Sequence, residues 1–198
     1  MELVVEVGKD QIPRFLNLLV PEFVVETRVG NNLKVLVCGK FGVNDTYFEE
    51  RIQTIFLNSK PVDDVNTAIV HDGDVLALSA AMPGLVGATF RKGGTYSWMR
   101  GSISHLDNSD VTAGKIGRVT VKLFNMILKE LGPFFLEAGV WLKGETIQAF
   151  FTDRASSLAG TIQSVFLNGR EVAPNAILTI EWQEEPVHIK IVNDLLTK

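Results

Sequence analysis

The chain has 198 residues, 46% of them hydrophobic and 21% charged, so it has ample apolar material for a packed core and excludes long disordered tracts. Its net charge of −4 gives no overall attraction to nucleic acid or to an anionic membrane surface. One cysteine, Cys38, excludes an internal disulfide and a cysteine-based zinc site.

In chain order, MELVVEV reads as a strand, because Glu2 and Glu6 stand where a secretory leader needs basic residues. An amphipathic stretch, IPRFLNLL, follows, then two extended runs, FVVETRV and LKVLVCGKF, around the turn Gly30-Asn31-Asn32. Cys38 in the second run reads as a small buried hydrophobe. IQTIFLNSKPV (residues 52–62) and VLALS (75–79) are strand-like, with His71-Asp72-Gly73-Asp74 as the turn between them.

The second half predicts a helix that Asp110 or Thr112 can cap. Its apolar positions Ile116, Val119, Leu123, Met126, Ile127 and Leu131 recur at helical spacing, and Gly132-Pro133 ends it. Extended runs FFLEAGVWL and TIQAFF come next around Lys143-Gly144-Glu145, then IQSVFLNGREV (162–172) and VHIKIV. No apolar run reaches the roughly 20 residues of a spanning helix, so a soluble, cytoplasmic protein without membrane contact is expected.

IQTIFLNSKPV and IQSVFLNGREV are identical at six of eleven aligned positions, and their flanks carry similar elements in the same order. The expectation is an α+β chain built by internal duplication: a module over 1–80, a connector over 81–114 and a second module over 115–198. Short turns predict mainly antiparallel strands. Asn58-Ser59 and Asn168-Gly169 are tight-turn pairs, and the Phe-Leu before each belongs to the core.

Residues 56–94 resemble the C-terminal half of the ubiquitin-like sulfur carriers of molybdopterin and thiamine synthesis. The residues that carry the resemblance are Leu57-Asn58, Val62, Asp72-Gly73-Asp74, the run 75–78 and Gly93-Gly94. The resemblance implies a β-grasp-like module, a mixed sheet around one helix. It does not carry the activity over: sulfur carriers are activated at a free C-terminal glycine, whereas Gly94 is followed by Thr95 and the rest of the chain.

The candidate site is the connector, which is free of acidic residues from 75 to 106. Gly84, Gly87, Gly93 and Gly94 allow close backbone approach, and Arg91, Lys92, Arg100 and His105 supply positive charge for a phosphate or carboxylate ligand. Phe90, Tyr96, Trp98 and Met99 suit a protein partner or a second copy of the chain. No dinucleotide fingerprint or Walker motif is present, and the histidines 71, 105 and 188 lack zinc-helix spacing. Ser104, His105 and Asp107 stand too close together for a triad, and Asp72-Gly73-Asp74 reads as a turn before a metal loop. With no acid, base and nucleophile assembled, the expected function is a non-catalytic binding or assembly protein with residues 81–105 as contact surface and no cofactor. The alternative is an enzyme or binder of a small anion.

Overall fold

The computed structural model describes residues 1–100, 114–182 and 185–193. Strand β1 (Glu2–Val7) buries Leu3, Val5 and Val7 on one face. A 3-10 helix, Ile12–Leu19, begins with Pro13 in its first turn and buries Ile12, Phe15, Leu18 and Leu19. Strands β2 (Phe23–Arg28) and β3 (Asn31–Asn32) follow.

LKVLVCGKF is helical, not extended: Val35–Lys40 forms a wide helical turn in which Phe41 N–H donates to the Leu36 carbonyl. Leu33, Leu36 and Val37, three and four residues apart, are buried, and the Asn32 side chain accepts from Val35 N–H at 2.8 Å. Helix α1 (Asp45–Arg51) is capped by Asn44, which accepts from Thr46 and Tyr47 N–H. Next come β4 (Thr54–Leu57), β5 (Lys60–Pro61), β6 (Ile69–Val70), β7 (Val75–Ser79), α2 (Gly84–Phe90) and a 3-10 turn, Ser97–Arg100.

The helix expected to start near 112 is instead strand β8 (Ile116–Phe124) followed by α3 (Met126–Ala138). Val119, Val121 and Leu123 alternate with Arg118, Thr120 and Lys122, and that period of two wins in β-branched sequence. Asn125, at φ 53°, breaks the strand from the helix. Pro133 lies inside α3 and does not stop it, because Phe135 and Leu136 beyond it are buried, Phe135 against Phe23 at 5.0 Å. FFLEA is accordingly helical, and only Val140–Leu142 of that run is a strand, β9.

TIQAFF likewise belongs to a helix, α4 (Gly144–Leu158), whose Ile147, Phe150 and Phe151 are buried at helical spacing. The chain ends with β10 (Ile162–Leu167), β11 (Arg170–Val172), a 3-10 turn Pro174–Thr179 and β12 (Val187–Asn193).

These elements form two compact units: Met1–Phe23 with Leu128–Lys198, and Val24–Ile127. In the second, the strand order is β2-β8-β7-β4-β5, with β7 and β8 parallel and β4 antiparallel to both β7 and β5. In the first, the order is β9-β12-β1-β10-β11, with β1 and β12 parallel and β10 antiparallel to both β1 and β11. The strands of each unit are therefore paired in mixed fashion, within a mixed α/β protein.

The two hairpins match in detail. Leu57 pairs with Lys60 and Leu167 with Arg170, across turns whose central residues all have positive φ: Asn58 and Ser59, Asn168 and Gly169. Asn58 Oδ1 accepts from Val75 N–H and its own N–H donates to the Val75 carbonyl, both at 2.9 Å. Asn168 makes the same two bonds, at the same length, with Glu2. Strand β1 thus stands beside β10 as β7 stands beside β4. The closing runs VLALS and VHIKIV, by contrast, hold different places, since β12 lies one strand further from its hairpin than β7 does from its own.

Candidate functional site

Residues 80–100 leave β7 and fold over their own unit, and charged groups hold them there. Arg100 is buried and donates from Nη1 and Nη2 to the two carboxylate oxygens of Asp63, one at 3.0 Å and the other at 2.6 Å. Its Nε donates to the Thr89 carbonyl at 2.6 Å and Nη2 to that of Arg91 at 3.3 Å, so one guanidinium ties the end of α2, the 3-10 turn and Asp63 together.

Lys92 makes a second fastening. Its Nζ lies 3.0 Å from Glu49 Oε2 and 4.6 Å from the Phe48 ring centroid, and its N–H donates to the Gln53 carbonyl. Glu49 also meets Lys34 at 3.1 Å, and the hydrogen bonds from Lys92 and then Lys34 hold its carboxyl below the usual range. Phe90 turns inward, half-buried, with its ring 5.3 Å from that of Phe56.

The glycines serve this folding. Gly84 and Gly93 have positive φ, and a side chain on Gly87 would collide with the Met82 carbonyl. Arg91 is exposed, while Lys92 and Arg100 are matched to carboxylates, so two of the three described cations expected to grip an anion hold the segment to its own unit. His105 lies outside the described residues, as do Ser104, Asp107, Asp110 and Thr112.

Apart from Arg91 and Thr95, the large side chains that face outward are apolar. Trp98 is 75% exposed, Val86 67%, Leu85 66%, Met99 54% and Tyr96 45%. Over residues 85–100 the usual partition is reversed, with an arginine buried and a tryptophan displayed. The 3-10 turn produces that reversal: Arg100 points in, whereas Trp98 and Met99 point out.

The sequence reading did not identify Glu49 and Asp63, the two acids that fix the platform. The available signal was complementary: an acid-free stretch with cations needs carboxylates from elsewhere in the chain if it is to fold down. The remaining motifs are structural. Asp72 Oδ1 accepts from Arg118 N–H at 2.7 Å, and Asp74 accepts from Asn58 Nδ2 and His71 N–H at 2.7 Å each, so this acidic pair staples turns. His188 lies on β12 against the Trp141 ring at 5.0 Å. Among the described residues no cluster of three or more His, Cys, Asp or Glu is placed to hold a metal, and no helix is long and apolar enough to cross a membrane.

No protein-family model matches the chain, and no curated protein or solved structure matches it significantly.

Proposed function

We propose that the protein is a non-catalytic assembly protein that pairs with a second copy of itself through the platform of α2 and the following 3-10 turn. The observation that carries this reading is the exposure of Leu85, Val86, Tyr96, Trp98 and Met99 on a segment fastened from beneath. A fixed apolar surface loses little conformational entropy on binding, and buried aromatic anchors dominate interface energies. Self-pairing is favoured because residues 75–106 carry no acid and the charges of Lys92 and Arg100 are met within the unit. Two identical patches can then face each other with Arg91 as the cation to keep apart among the described residues of the segment.

The scaffold that carries the platform is, in this proposal, a duplicated β-grasp-like module in which the N-terminal strand has moved into the other copy. The matched hairpins and the paired Asn58 and Asn168 bonds support it. The likeness to sulfur carriers is then one of fold alone, since Gly93 and Gly94 sit in a turn beside Asp63 rather than at a free end.

Light scattering of the purified chain over a dilution series tests the proposal. Wild type is expected to pass from dimer to monomer on dilution, and Trp98→Ala to raise the dissociation constant at least about thirtyfold, the ~2 kcal/mol of a minimal hot spot. A wild-type monomer at all concentrations, or a dimer indifferent to Trp98, refutes it.

A further inference from the structure

A trough runs along the outer face of β7, inside the unit Val24–Ile127, and sequence alternation builds it. Val75, Ala77 and Ser79 point away from the core that Leu76 and Leu78 enter. The register places Phe56 and Lys122 on either side of Ala77, and Thr54 and Phe124 on either side of Ser79. Small side chains on the central strand between large ones on its neighbours leave a groove, and Met82 helps close it into a cavity of about 380 Å³. Ser59 and Asn125 complete the lining, which among the described residues contains no Asp or Glu.

One end of this trough is chemically unusual. Ser79 is 5% exposed and Thr54 1%, and neither hydroxyl has a hydrogen-bond partner among the described residues. They face each other directly across the β4–β7 ladder, where opposed Cβ atoms lie about 5 Å apart. A buried hydroxyl without a partner is destabilising, and Ser79, unlike Thr54 opposite it, lines the cavity, so its hydroxyl marks a place where an acceptor atom from elsewhere fits.

We propose that this trough binds a small monocarboxylic acid with an apolar body. The carboxylate accepts from Ser79 Oγ, on the same sheet face as Lys122, which also lines the cavity. The body lies over Ala77 between Phe56 and Phe124, toward Val75. At about 30 Å³ per heavy atom the cavity holds about a dozen such atoms. Apolar walls with a few convergent polar groups are the usual make-up of a small-molecule site.

The test is calorimetric titration of the full chain with decanoate, and with decyltrimethylammonium as the cation of equal chain length. Running both in the Trp98→Ala protein as well separates ligand binding from pairing of copies. The expected result is saturable one-to-one binding of decanoate alone. Ala77→Phe, which fills the trough, should abolish it, and Ser79→Ala, which removes an unpartnered hydroxyl, should weaken it about tenfold. No saturable binding of decanoate up to about 1 mM overturns the proposal, as does equal affinity for the two head groups or indifference to both substitutions.

Discussion

Removal of Asp63 should damage the platform more than removal of Arg100, although the two form one ion pair. The Arg100 side chain is 2% exposed and that of Asp63 37%, so the partners are not equivalent once separated. Asp63→Ala leaves a buried guanidinium bonded to the Thr89 and Arg91 carbonyls but without its carboxylate, and breaking a buried pair by removing one partner costs about 3–5 kcal/mol. Arg100→Ala leaves a carboxylate that water already reaches, so the loss is that of the charged hydrogen bonds, about 1.5–3 kcal/mol. The double variant Asp63→Ala/Arg100→Met should recover most of the deficit, because no charge is then left buried.

The damage is local, since the core of this unit lies on Leu76, Leu78, Val119 and Val121 rather than under the 3-10 turn. Hydrogen exchange at the Lys92 amide, bonded to the Gln53 carbonyl at 2.8 Å, reports release of the segment. A loss of ~3 kcal/mol in Asp63→Ala accelerates that exchange about 150-fold, with a smaller effect for Arg100→Ala. Equal rates in the two variants, or a larger effect from Arg100→Ala, would refute the reasoning that burial of the arginine governs the pair.

Three further outcomes follow from the same contacts. Glu49 has a lowered pKa, so its stabilising contribution is present above the unfolded value of about 4.3 and fades as pH falls through the folded one; exposure limits it to about 1 kcal/mol. The melting temperature of Glu49→Gln should therefore trail wild type near neutrality and converge with it as the pH falls below the folded value. Burial first, and Asp45 second, push the Cys38 thiol up to about 11, so alkylation by iodoacetamide near neutral pH should run about a hundredfold slower than for a free cysteine, with only partial recovery in Asp45→Asn. Gly87→Ala drives a methyl into the Met82 carbonyl, and thermal unfolding should show a loss of about 1–3 kcal/mol.

Strand and turn chemistry were well written in the sequence. The alternation of ELVVEV and VLALS gives β1 and β7, and the Asn-Ser and Asn-Gly pairs give hairpins with positive φ at both central positions. Helix and strand were confused where an apolar run fits both periods. In LKVLVCGKF the buried triplet Leu33, Leu36 and Val37 has helical spacing, which a count of β-branched residues overrides on paper. In residues 116–131 the six apolar positions fit a helix, but Asn125 splits them, and only the left-handed backbone there reveals the break. Partner choice was invisible altogether. Local sequence does not encode that β1 lies beside β10, nor that Arg100 meets Asp63, 37 residues away.

The site divides along the same line. The exposure of Tyr96, Trp98 and Met99 was legible because apolar and aromatic residues clustered in an acid-free segment between strands have few cores to enter. Phe90 was not, since its ring is taken up by Phe56, a neighbour only in space. The trough was hidden for a different reason. Val75, Ala77 and Ser79 become a floor only when β4 and β8 bring Phe56, Lys122 and Phe124 alongside.

Disulfide trapping tests the central claim of self-pairing most directly. In a Cys38→Ser background, single cysteines are placed in turn at Leu85, Val86, Tyr96, Trp98 and Met99, with Lys40→Cys as an exposed control outside the segment 80–100. A two-fold contact brings one or more of these positions close to its own copy, so rapid formation of a cross-linked dimer is expected there and not at residue 40. If all five positions oxidise no faster than the control, the platform does not meet itself and the proposed assembly is wrong.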